Sequence, residues 1–307
     1  MRRVSKHSRR PSILIAHFEF IQDQNLMSVG KCLCGEVSWE LEPEAYATFN
    51  CHCKMCRKAH GTPFGTYFFA QSNQLRWVSA TDSIVYYRSS SKLTRSFCGT
   101  CGSVVPYSAG DQSRVVTPGG CHNQGRPADC NVFVAYNAAW HEITNDLPCY
   151  DHYPPETGLS GVDEEPLGSG SEDVVRGSCL CNAVQFHVTK PFKIAHNCYC
   201  TRCRRAHAAA HASNGFTDFD GVTLIKGGGL LKAYKLPNAQ YFTQVFCEIC
   251  GSKMPRLDRD RNLAVIPLGS LDDDPGIRPM DHIYVAYKCE WYDITDDLPR
   301  FAEGPPR

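Results

Sequence analysis

Residues 51–56 read Cys51–His52–Cys53–Lys54–Met55–Cys56, and residues 198–203 repeat the pattern as Cys198–Tyr199–Cys200–Thr201–Arg202–Cys203. Cysteine thiolates are soft ligands that suit zinc, and three of them at this spacing can supply most of a tetrahedral shell. Neither copy has a local fourth ligand. We therefore expect a metal at each trio, with one coordination position left for water, a substrate thiol or a distant side chain.

The two trios belong to a repeat that covers most of the chain. Gly30–Lys31–Cys32–Leu33–Cys34 recurs 147 residues later as Gly177–Ser178–Cys179–Leu180–Cys181, the same offset as between the trios. Phe97–Cys98–Gly99–Thr100–Cys101–Gly102 recurs as Phe246–Cys247–Glu248–Ile249–Cys250–Gly251. Each copy closes on a related stretch, WHEITNDLP at 140–148 and WYDITDDLP at 291–299. This constant order predicts two tandem domains, residues 30–150 and 176–301.

Composition indicates which segments lie outside the two predicted domains. The 307 residues of the chain are enough for two domains that each bury a core. Residues 151–175 are rich in Pro, Gly, Ser and acidic residues and are predicted to be a linker. Residues 1–29 carry five basic residues before the first acidic one, Glu19. We interpret them as a disordered tail, or as an upstream extension with Met27 as the working start, and keep a mitochondrial transit segment as the alternative.

Charge and hydropathy exclude some partners. The 32 basic and 32 acidic residues cancel, so no global field would gather nucleic acid, and no nucleic-acid partner is expected. Apolar runs are all shorter than the roughly 18–20 residues that cross a bilayer, so no membrane partner is expected either. The chain is predicted to be soluble and cytoplasmic, or mitochondrial if the N-terminal segment is a transit peptide. The sequence does not indicate an oligomeric state.

The secondary structure is predicted to be mainly β. Short β-branched and aromatic segments bounded by turn residues, the pattern of strands, occur at 66–70, 84–87, 132–136 and 282–287. Helical periodicity is convincing only at 53–60 and 200–211.

The cysteines in each copy divide into four plus three. Seven cannot all pair as disulfides within one module, and C-x-x-C before Gly is how a tight turn presents two thiolates to one metal, so we favour metal over disulfides. In C-x-C the period of two would put both sulfurs on one face of a strand, where the C-x-x-C pair closes a four-thiolate structural shell. The two predicted shells are Cys32, Cys34, Cys98 and Cys101, and Cys179, Cys181, Cys247 and Cys250. The trios Cys51, Cys53 and Cys56, and Cys198, Cys200 and Cys203, would hold the second metal of each copy.

Alternatives remain for the trios. His52 or His60 could supply a fourth ligand, and His207 stands at the position matching His60. Iron–sulfur ligation is a third option, although C-x-C is not its usual spacing. Four cysteines lie outside the repeat and are predicted to be ordinary thiols: Cys121, Cys130, Cys149 and Cys289.

At these motifs the chain resembles the glutathione-dependent formaldehyde-activating enzyme family, which also includes centromere protein V. The resemblance covers residues from about 30 to 150 and again from about 176 to 301. It implies a β-tent of antiparallel sheets, with one structural and one open zinc in each domain. It also implies a reaction of carbon–sulfur lyase type, in which glutathione adds to formaldehyde, with Cys53 and Cys200 as the candidate catalytic residues.

The copies differ around the metals. The first has Gly61 and Arg95, which look like the family pattern, where the second has Ala208 and Gln244. Conversely, His282 of the second copy resembles a family histidine where the first has Asn131. The first copy is therefore the better candidate for catalysis.

Two arginines beside the trios are candidates for substrate recognition. Arg57 and Arg204 could grip a carboxylate of a glutathione-like thiol, the expected small-molecule partner. The alternative is that both are solvated arginines on a short helix.

Two alternative hypotheses for the function remain. One is a zinc-stabilised interaction module without catalysis. The other is a chain in which one copy is catalytic and the second is a scaffold.

Overall fold

The computed structural model describes residues 27–42, 47–109, 112–158 and 174–305. The predicted tail before Met27 and residues 159–173 of the predicted linker lie outside this part of the chain. We call residues 27–158 the first half and residues 174–305 the second half. No helix in the described ranges is both long and apolar enough to cross a membrane.

The first half contains eleven strands and one α-helix within its described residues. They are β1 (Ser28–Lys31), β2 (Ser38–Leu41), β3 (Ala47–Cys51), α1 (Lys54–His60), β4 (Gly65–Gln71), β5 (Leu75–Trp77), β6 (Ile84–Arg88), β7 (Thr94–Cys98), β8 (Tyr107–Ala109), β9 (Arg114–Pro118), β10 (Cys130–Val132) and β11 (Cys149–Tyr150).

The second half repeats this order with ten strands and one α-helix in its described residues. They are β12 (Val175–Ser178), β13 (Gln185–Val188), β14 (Ile194–Cys198), α2 (Thr201–His207), β15 (Ala212–Thr217), β16 (Val222–Lys226), β17 (Leu231–Lys235), β18 (Thr243–Cys247), β19 (Arg256–Asp258), β20 (Leu263–Pro267) and β21 (His282–Ile283).

Each half forms three sheets of matching topology. In the first half the orders are β1-β2-β5, β11-β10-β3-β4-β9-β8 and β6-β7. In the second half they are β12-β13-β16, β19-β20-β15-β14-β21 and β17-β18. Most neighbours are antiparallel, but β10 runs parallel to β3 and β11, and β21 runs parallel to β14. The mainly β, antiparallel fold predicted from the sequence is confirmed, with these parallel pairs at one edge of the large sheets.

Three local predictions were wrong in detail. The strands expected at 132–136 and 282–287 end at Val132 and Ile283, because the next residues, Phe133 and Tyr284, have φ of 60° and 58° and turn the chain into short 3₁₀ helices. The helix expected over 200–211 ends at His207, since Ala208 adopts the left-handed conformation.

The C-x-C pairs do not lie on strands, contrary to the prediction from the sequence. Cys32 and Cys34 occupy a turn that follows β1, and Cys179 and Cys181 occupy the matching turn after β12. The backbone N–H of Cys32 donates to Val37 O at 3.0 Å, so the turn folds back on itself. The two sulfurs converge because of this turn rather than because of a strand's alternation.

The two halves share an apolar core. Strand β4 is buried on both faces, which a sheet with one solvated face would not require. Phe69 packs in the first half against Phe49, with ring centroids 4.9 Å apart, whereas Phe68 faces the other way and packs against Trp291 of the second half at 5.5 Å. The halves are therefore packed together through side chains that neither would bury alone.

The interface is close to twofold symmetric. His60 Nδ1 lies 2.7 Å from His207 O, and His207 Nδ1 lies 2.7 Å from His60 O. The hydroxyls of Thr144 and Thr295, also equivalent in the repeat, are 2.5 Å apart. A single chain thus builds the kind of isologous contact that two identical subunits would make.

Glycine is required where the C-x-x-C turns meet across this axis. Gly102 and Gly251 have φ of 75° and 72°, which L side chains rarely adopt. A Cβ on Gly102 would lie 2.4 Å from Phe246 Cγ, and one on Gly251 would lie 2.5 Å from Phe97 Cγ. The glycine that follows each C-x-x-C therefore serves both the turn and the packing of the two halves.

One buried lysine breaks the symmetry and ties the halves together. Lys253 is fully buried, and its Nζ donates to the carbonyl oxygens of Ala59, Gly102 and Gly251 at 3.1, 2.6 and 2.8 Å. Burial lowers the pKa of Lys253 to about 8, so the ammonium persists at neutral pH. Its counterpart in the first half is Val104.

We expect Lys253→Met to lower the free energy of unfolding by about 3 kcal/mol, because three buried carbonyl oxygens lose a charged donor. Urea unfolding of the full chain measures this. Lys232→Met, an exposed lysine on β17, is the matched control and should change stability by less than about 0.5 kcal/mol. Equal stability of both variants and the wild type would contradict the assigned role of Lys253.

Candidate functional site

Two clusters of four cysteines form where the C-x-C turns meet the C-x-x-C turns. The sulfurs of Cys32, Cys34, Cys98 and Cys101 all lie within 4.8 Å of one another, and so do those of Cys179, Cys181, Cys247 and Cys250. In the first cluster Cys98 ends β7 and Cys101 follows in a turn closed by the Gly102 N–H, which donates to Cys98 O at 2.8 Å. Segments more than sixty residues apart in sequence meet at each cluster.

The chemistry of this donor set fits a soft divalent cation. Cys32 Sγ lies 3.4 Å from Cys34 Sγ, and Cys34 Sγ lies 3.6 Å from Cys98 Sγ. Hydrogen bonds from Cys32, Cys34 and Cys98 lower the pKa of the Cys101 thiol, whereas hydrogen bonds with Cys101 raise the pKa of Cys32 and Cys34, so the cluster favours a thiolate at Cys101. Four converging sulfurs are what a closed tetrahedral zinc or a related metal requires.

The three-cysteine groups form at the start of each short helix. Cys51 ends β3, Cys53 caps α1, and Cys56 lies in its first turn, with the Cys56 N–H donating to Cys53 Sγ at 3.3 Å. Cys200 caps α2 in the same way, accepting from the Cys203 N–H at 3.4 Å. The sulfurs of each trio lie within 4.8 Å of one another.

The structure thus brings the fourteen predicted ligands together as two groups of four and two groups of three. In the described ranges, no histidine nitrogen or carboxylate oxygen joins either trio. Metal binding itself, and the catalytic roles of Cys53 and Cys200, stay predictions.

The two histidines considered as a fourth ligand have other partners. His52 Nδ1 lies 3.1 Å from Asn137 Oδ1, and its Nε2 lies 3.3 Å from Asn131 Oδ1. His60 Nε2 lies 2.7 Å from the Tyr67 hydroxyl. Burial lowers the pKa of both histidines to about 4, so both are neutral at pH 7. Neither histidine nitrogen is grouped with the trio sulfurs, so the structure does not favour a trio closed by either histidine.

A cavity of about 460 Å³ reaches the first trio, and all three of its cysteines line the wall. Apolar side chains surround the sulfurs, among them Phe49, Met55, Phe69, Leu93 and Phe133. Such a pocket, apolar with a few convergent polar groups, is the usual form of a small-molecule site.

Arg95 is the main polar group beside the trio. Its NH2 lies 3.4 Å from Cys56 Sγ and its NH1 lies 3.1 Å from the Tyr67 hydroxyl. Hydrogen bonds from Cys51 and Cys53, and beyond them the charge of Arg95, lower the pKa of Cys56. The site is therefore built to hold a thiolate at Cys56.

A sequence model described as "Glutathione-dependent formaldehyde-activating enzyme" matches residues 27–135 and again residues 174–287. Together these segments span well over half of the chain. The chain belongs to the glutathione-dependent formaldehyde-activating enzyme family. The repeat inferred from the cysteine spacing is thus two copies of the family's sequence in one chain.

Two individual proteins are similar to parts of the chain. A Halomonas elongata protein, provisionally named a glutathione-dependent formaldehyde-activating enzyme, is 30% identical over 132 residues, which cover 39% of this chain and 81% of that protein. A crystal structure of a Rhodobacter sphaeroides protein covers 34% of this chain and 97% of its own at 23% identity, with a TM-score of 0.27, too low to bear on the fold.

The second copy of the family sequence has a reduced cavity. The space beside its trio is about 170 Å³, and Cys198 and Cys203 line it but Cys200 does not. In place of Tyr67, Arg95 and Tyr107 it carries Asn214, Gln244 and Arg256. The two family copies therefore offer different surroundings to the same trio of sulfurs.

The two arginines proposed to bind a substrate carboxylate lie elsewhere. Arg57 is 1% exposed and is absent from the cavity wall. Arg204 is 3% exposed and donates to His122 O, Asn123 Oδ1 and Tyr287 O at 3.2, 3.0 and 3.2 Å. The alternative of a solvated arginine was wrong, because both side chains are buried, and neither arginine lines the cavity beside its trio.

Sequence reasoning also missed parts of the site. Tyr67 lies on the cavity face of β4, next to Phe68 on the opposite face, and the alternation of that predicted strand was the available signal. Tyr153 lines the cavity and packs against Phe133, with ring centroids 5.0 Å apart. It falls inside the segment predicted to be a linker, of which Gly158 also lines the cavity.

Proposed function

We propose that the first half is a zinc-dependent active site of carbon–sulfur lyase type, acting on the adduct of formaldehyde with glutathione or on a related thiol conjugate. The observation that carries the proposal is the first-half cavity, whose wall combines the three trio cysteines with Arg95. Membership in the glutathione-dependent formaldehyde-activating enzyme family supports the choice of thiol and aldehyde.

The reaction balances without an oxidant or reductant. The glutathione sulfur adds to the carbonyl carbon of formaldehyde, a C–S bond forms, the C=O π bond is lost, and the thiol proton ends on the new hydroxyl. The reverse direction breaks the same C–S bond. Zinc, when bound, would keep a thiol deprotonated near neutral pH and polarise a carbonyl oxygen.

The residues of the first half divide this work. Cys51, Cys53 and Cys56 would hold the zinc, while Arg95 offsets negative charge at Cys56. The apolar side chains around the buried sulfurs lower the local dielectric constant and so strengthen that charge interaction. Lys92 is exposed and also lines the cavity, which makes it a candidate partner for a glutathione carboxylate in place of Arg57.

We propose that the second half serves mainly as a scaffold. Its cavity is smaller, and it lacks an arginine and a tyrosine at the positions of Arg95 and Tyr67. Both features favour the hypothesis of a non-catalytic interaction module for this half alone. Its two cysteine groups would still hold zinc, giving four zinc ions in the chain. Each half would hold one zinc in a closed four-cysteine shell and one at a three-cysteine group.

The test is the rate of S-hydroxymethylglutathione formation by the zinc-loaded full chain, compared with the uncatalysed rate. Acceleration with saturation in glutathione is expected. A chain that holds four zinc ions but neither binds glutathione nor accelerates the reaction would refute the proposal and leave the interaction module.

Replacing Arg95 with glutamine, the residue that the second half carries at this position, sharpens the test. We expect kcat/KM to fall about 50-fold, because a charged hydrogen bond to a thiolate contributes about 2–3 kcal/mol. Zinc content should not change. Arg88→Gln, at an exposed arginine on the neighbouring strand β6, is the matched control and should retain full activity. Equal activity of both variants would remove Arg95 from the mechanism.

A further inference from the structure

The equivalent histidines His60 and His207 are buried at the centre of the interface, and neither belongs to a metal group. Each uses Nδ1 to contact the backbone oxygen of the other at 2.7 Å. The two contacts have the same length, so symmetry alone would assign both histidines the same structural role.

The contact at His60 fixes its tautomer. A carbonyl oxygen can only accept a hydrogen bond, so Nδ1 of His60 must carry the proton that it donates to His207 O. The neutral ring then has Nε2 as an acceptor. Tyr67, whose hydroxyl is 2.7 Å from this Nε2, must donate to it.

The orientation of Tyr67 follows from this donation. Its hydroxyl is 3.6 Å from Cys56 Sγ, a poorer contact than the 2.7 Å to His60, so the proton points to the histidine. The phenolic oxygen keeps its lone pairs for Arg95 NH1 at 3.1 Å, and Arg95 NH2 reaches Cys56 Sγ at 3.4 Å. A continuous row of hydrogen bonds runs from the second half's backbone to a thiol of the first trio.

The equivalent row does not exist in the second half. Tyr67 is replaced by Asn214 and Arg95 by Gln244, and no hydrogen bond joins either residue to His207. His60 and His207 therefore form matched interface contacts, but only His60 continues into a site.

We propose that His60, held by the backbone carbonyl of His207, is a positioning residue that orients Tyr67 and Arg95 toward Cys56, so that the second half contributes to the reaction of the first. This proposal rests on the proposed function for its kinetic consequence. Its structural content, the Nδ1–H tautomer and the bond from Tyr67, does not depend on activity.

The kinetic test compares His60→Phe with His207→Phe in the full chain. Each variant keeps an aromatic ring and loses one interface hydrogen bond, while His60→Phe also loses the bond from Tyr67. We expect His60→Phe to lower kcat about tenfold with little change in KM, as loss of a residue that orients a metal ligand does. His207→Phe, which retains its carbonyl, should change kcat less than about twofold. Equal loss in both variants would overturn the proposal.

Tyr67→Phe removes the hydroxyl that donates to His60 Nε2. It provides a second test if the His60 variant folds poorly. It should match the effect of His60→Phe on kcat, and the double variant should be no slower than either, because both changes break one row. Additive losses would show that the two residues act separately and would overturn the proposal.

An activity-independent readout separates this inference from the proposed function. In ¹⁵N-histidine NMR of the wild type, His60 should show a protonated Nδ1 and an unprotonated Nε2, and Tyr67→Phe should shift the Nε2 signal of His60 but not that of His207. A protonated Nε2 at His60 would refute the inference even if the enzyme is active. The expected signals in an inactive chain would refute only the proposed function.

Discussion

Cys53→Ser is expected to reduce formation of the glutathione adduct by the full chain about 1,000-fold, which corresponds to roughly 4 kcal/mol of transition-state stabilisation. Cys53 both lines the first-half cavity and caps α1, so the substitution changes a proposed metal ligand at the reacting centre. A serine hydroxyl stays protonated where a thiol becomes a thiolate, and it is a poor ligand for zinc. Zinc content should fall by one ion per chain.

The matched variant is Cys200→Ser in the second half. It changes the same helix cap in the same way, yet Cys200 does not line the smaller cavity beside its trio. We expect it to lose one zinc ion as well but to retain activity within about threefold. A loss of about half the activity in each variant would show two independent working sites, and full activity in both would remove the trios from the reaction.

Cys98→Ser is expected to unfold the first half. A closed four-thiolate zinc contributes on the order of 10 kcal/mol in zinc-finger peptides, comparable to the whole stability of a typical domain of about 5–15 kcal/mol. Cys98 is fully buried, and it joins the C-x-C turn to β7 through the cluster. Circular dichroism and urea unfolding should show the loss, and a strong chelator should reproduce it in the wild type.

The control for this prediction is Cys149→Ser, since Cys149 is exposed and lies outside every cysteine group in the described residues. It should leave the unfolding midpoint unchanged. The interface adds a further expectation for Cys98→Ser. Because Gly102 packs against Phe246 and accepts from Lys253, the second half should lose stability in the same transition. A variant that lost one zinc ion without any change in unfolding would contradict the structural role of the cluster.

The grouping of the cysteines could be predicted from local sequence. Their division into four and three followed from C-x-C, C-x-C-x-x-C and C-x-x-C-G spacing, because thiolates that share a metal must be presented by tight turns or a helix start, and such turns have short, recognisable spacings. The mainly β fold followed in the same way from short aromatic and β-branched segments. Where the prediction went further, placing the C-x-C pairs on strands, it was wrong because a turn also brings two such sulfurs together.

The domain boundaries near residues 150 and 176 stay a prediction, since residues 159–173 lie outside the described part of the chain. The structure nevertheless shows that the two predicted domains do not pack independently of each other. Tyr153, from the predicted linker, lines the first-half cavity, and Phe68 packs against Trp291 of the other half. The two copies share a core, and their sequences taken singly do not show which surfaces meet.

By itself, then, the sequence determined the tandem repeat, the mainly β fold and the four groups of cysteines, because each depends on short spacings and on the chemistry of sulfur. Only the tertiary structure decided that Arg57 and Arg204 are buried, that His60 contacts Tyr67 and His207, and that the cavity beside the first trio is larger than the one beside the second. These features depend on how segments about 150 residues apart pack together. Local residue patterns do not encode that packing, because a side chain's surroundings are set by its neighbours in space.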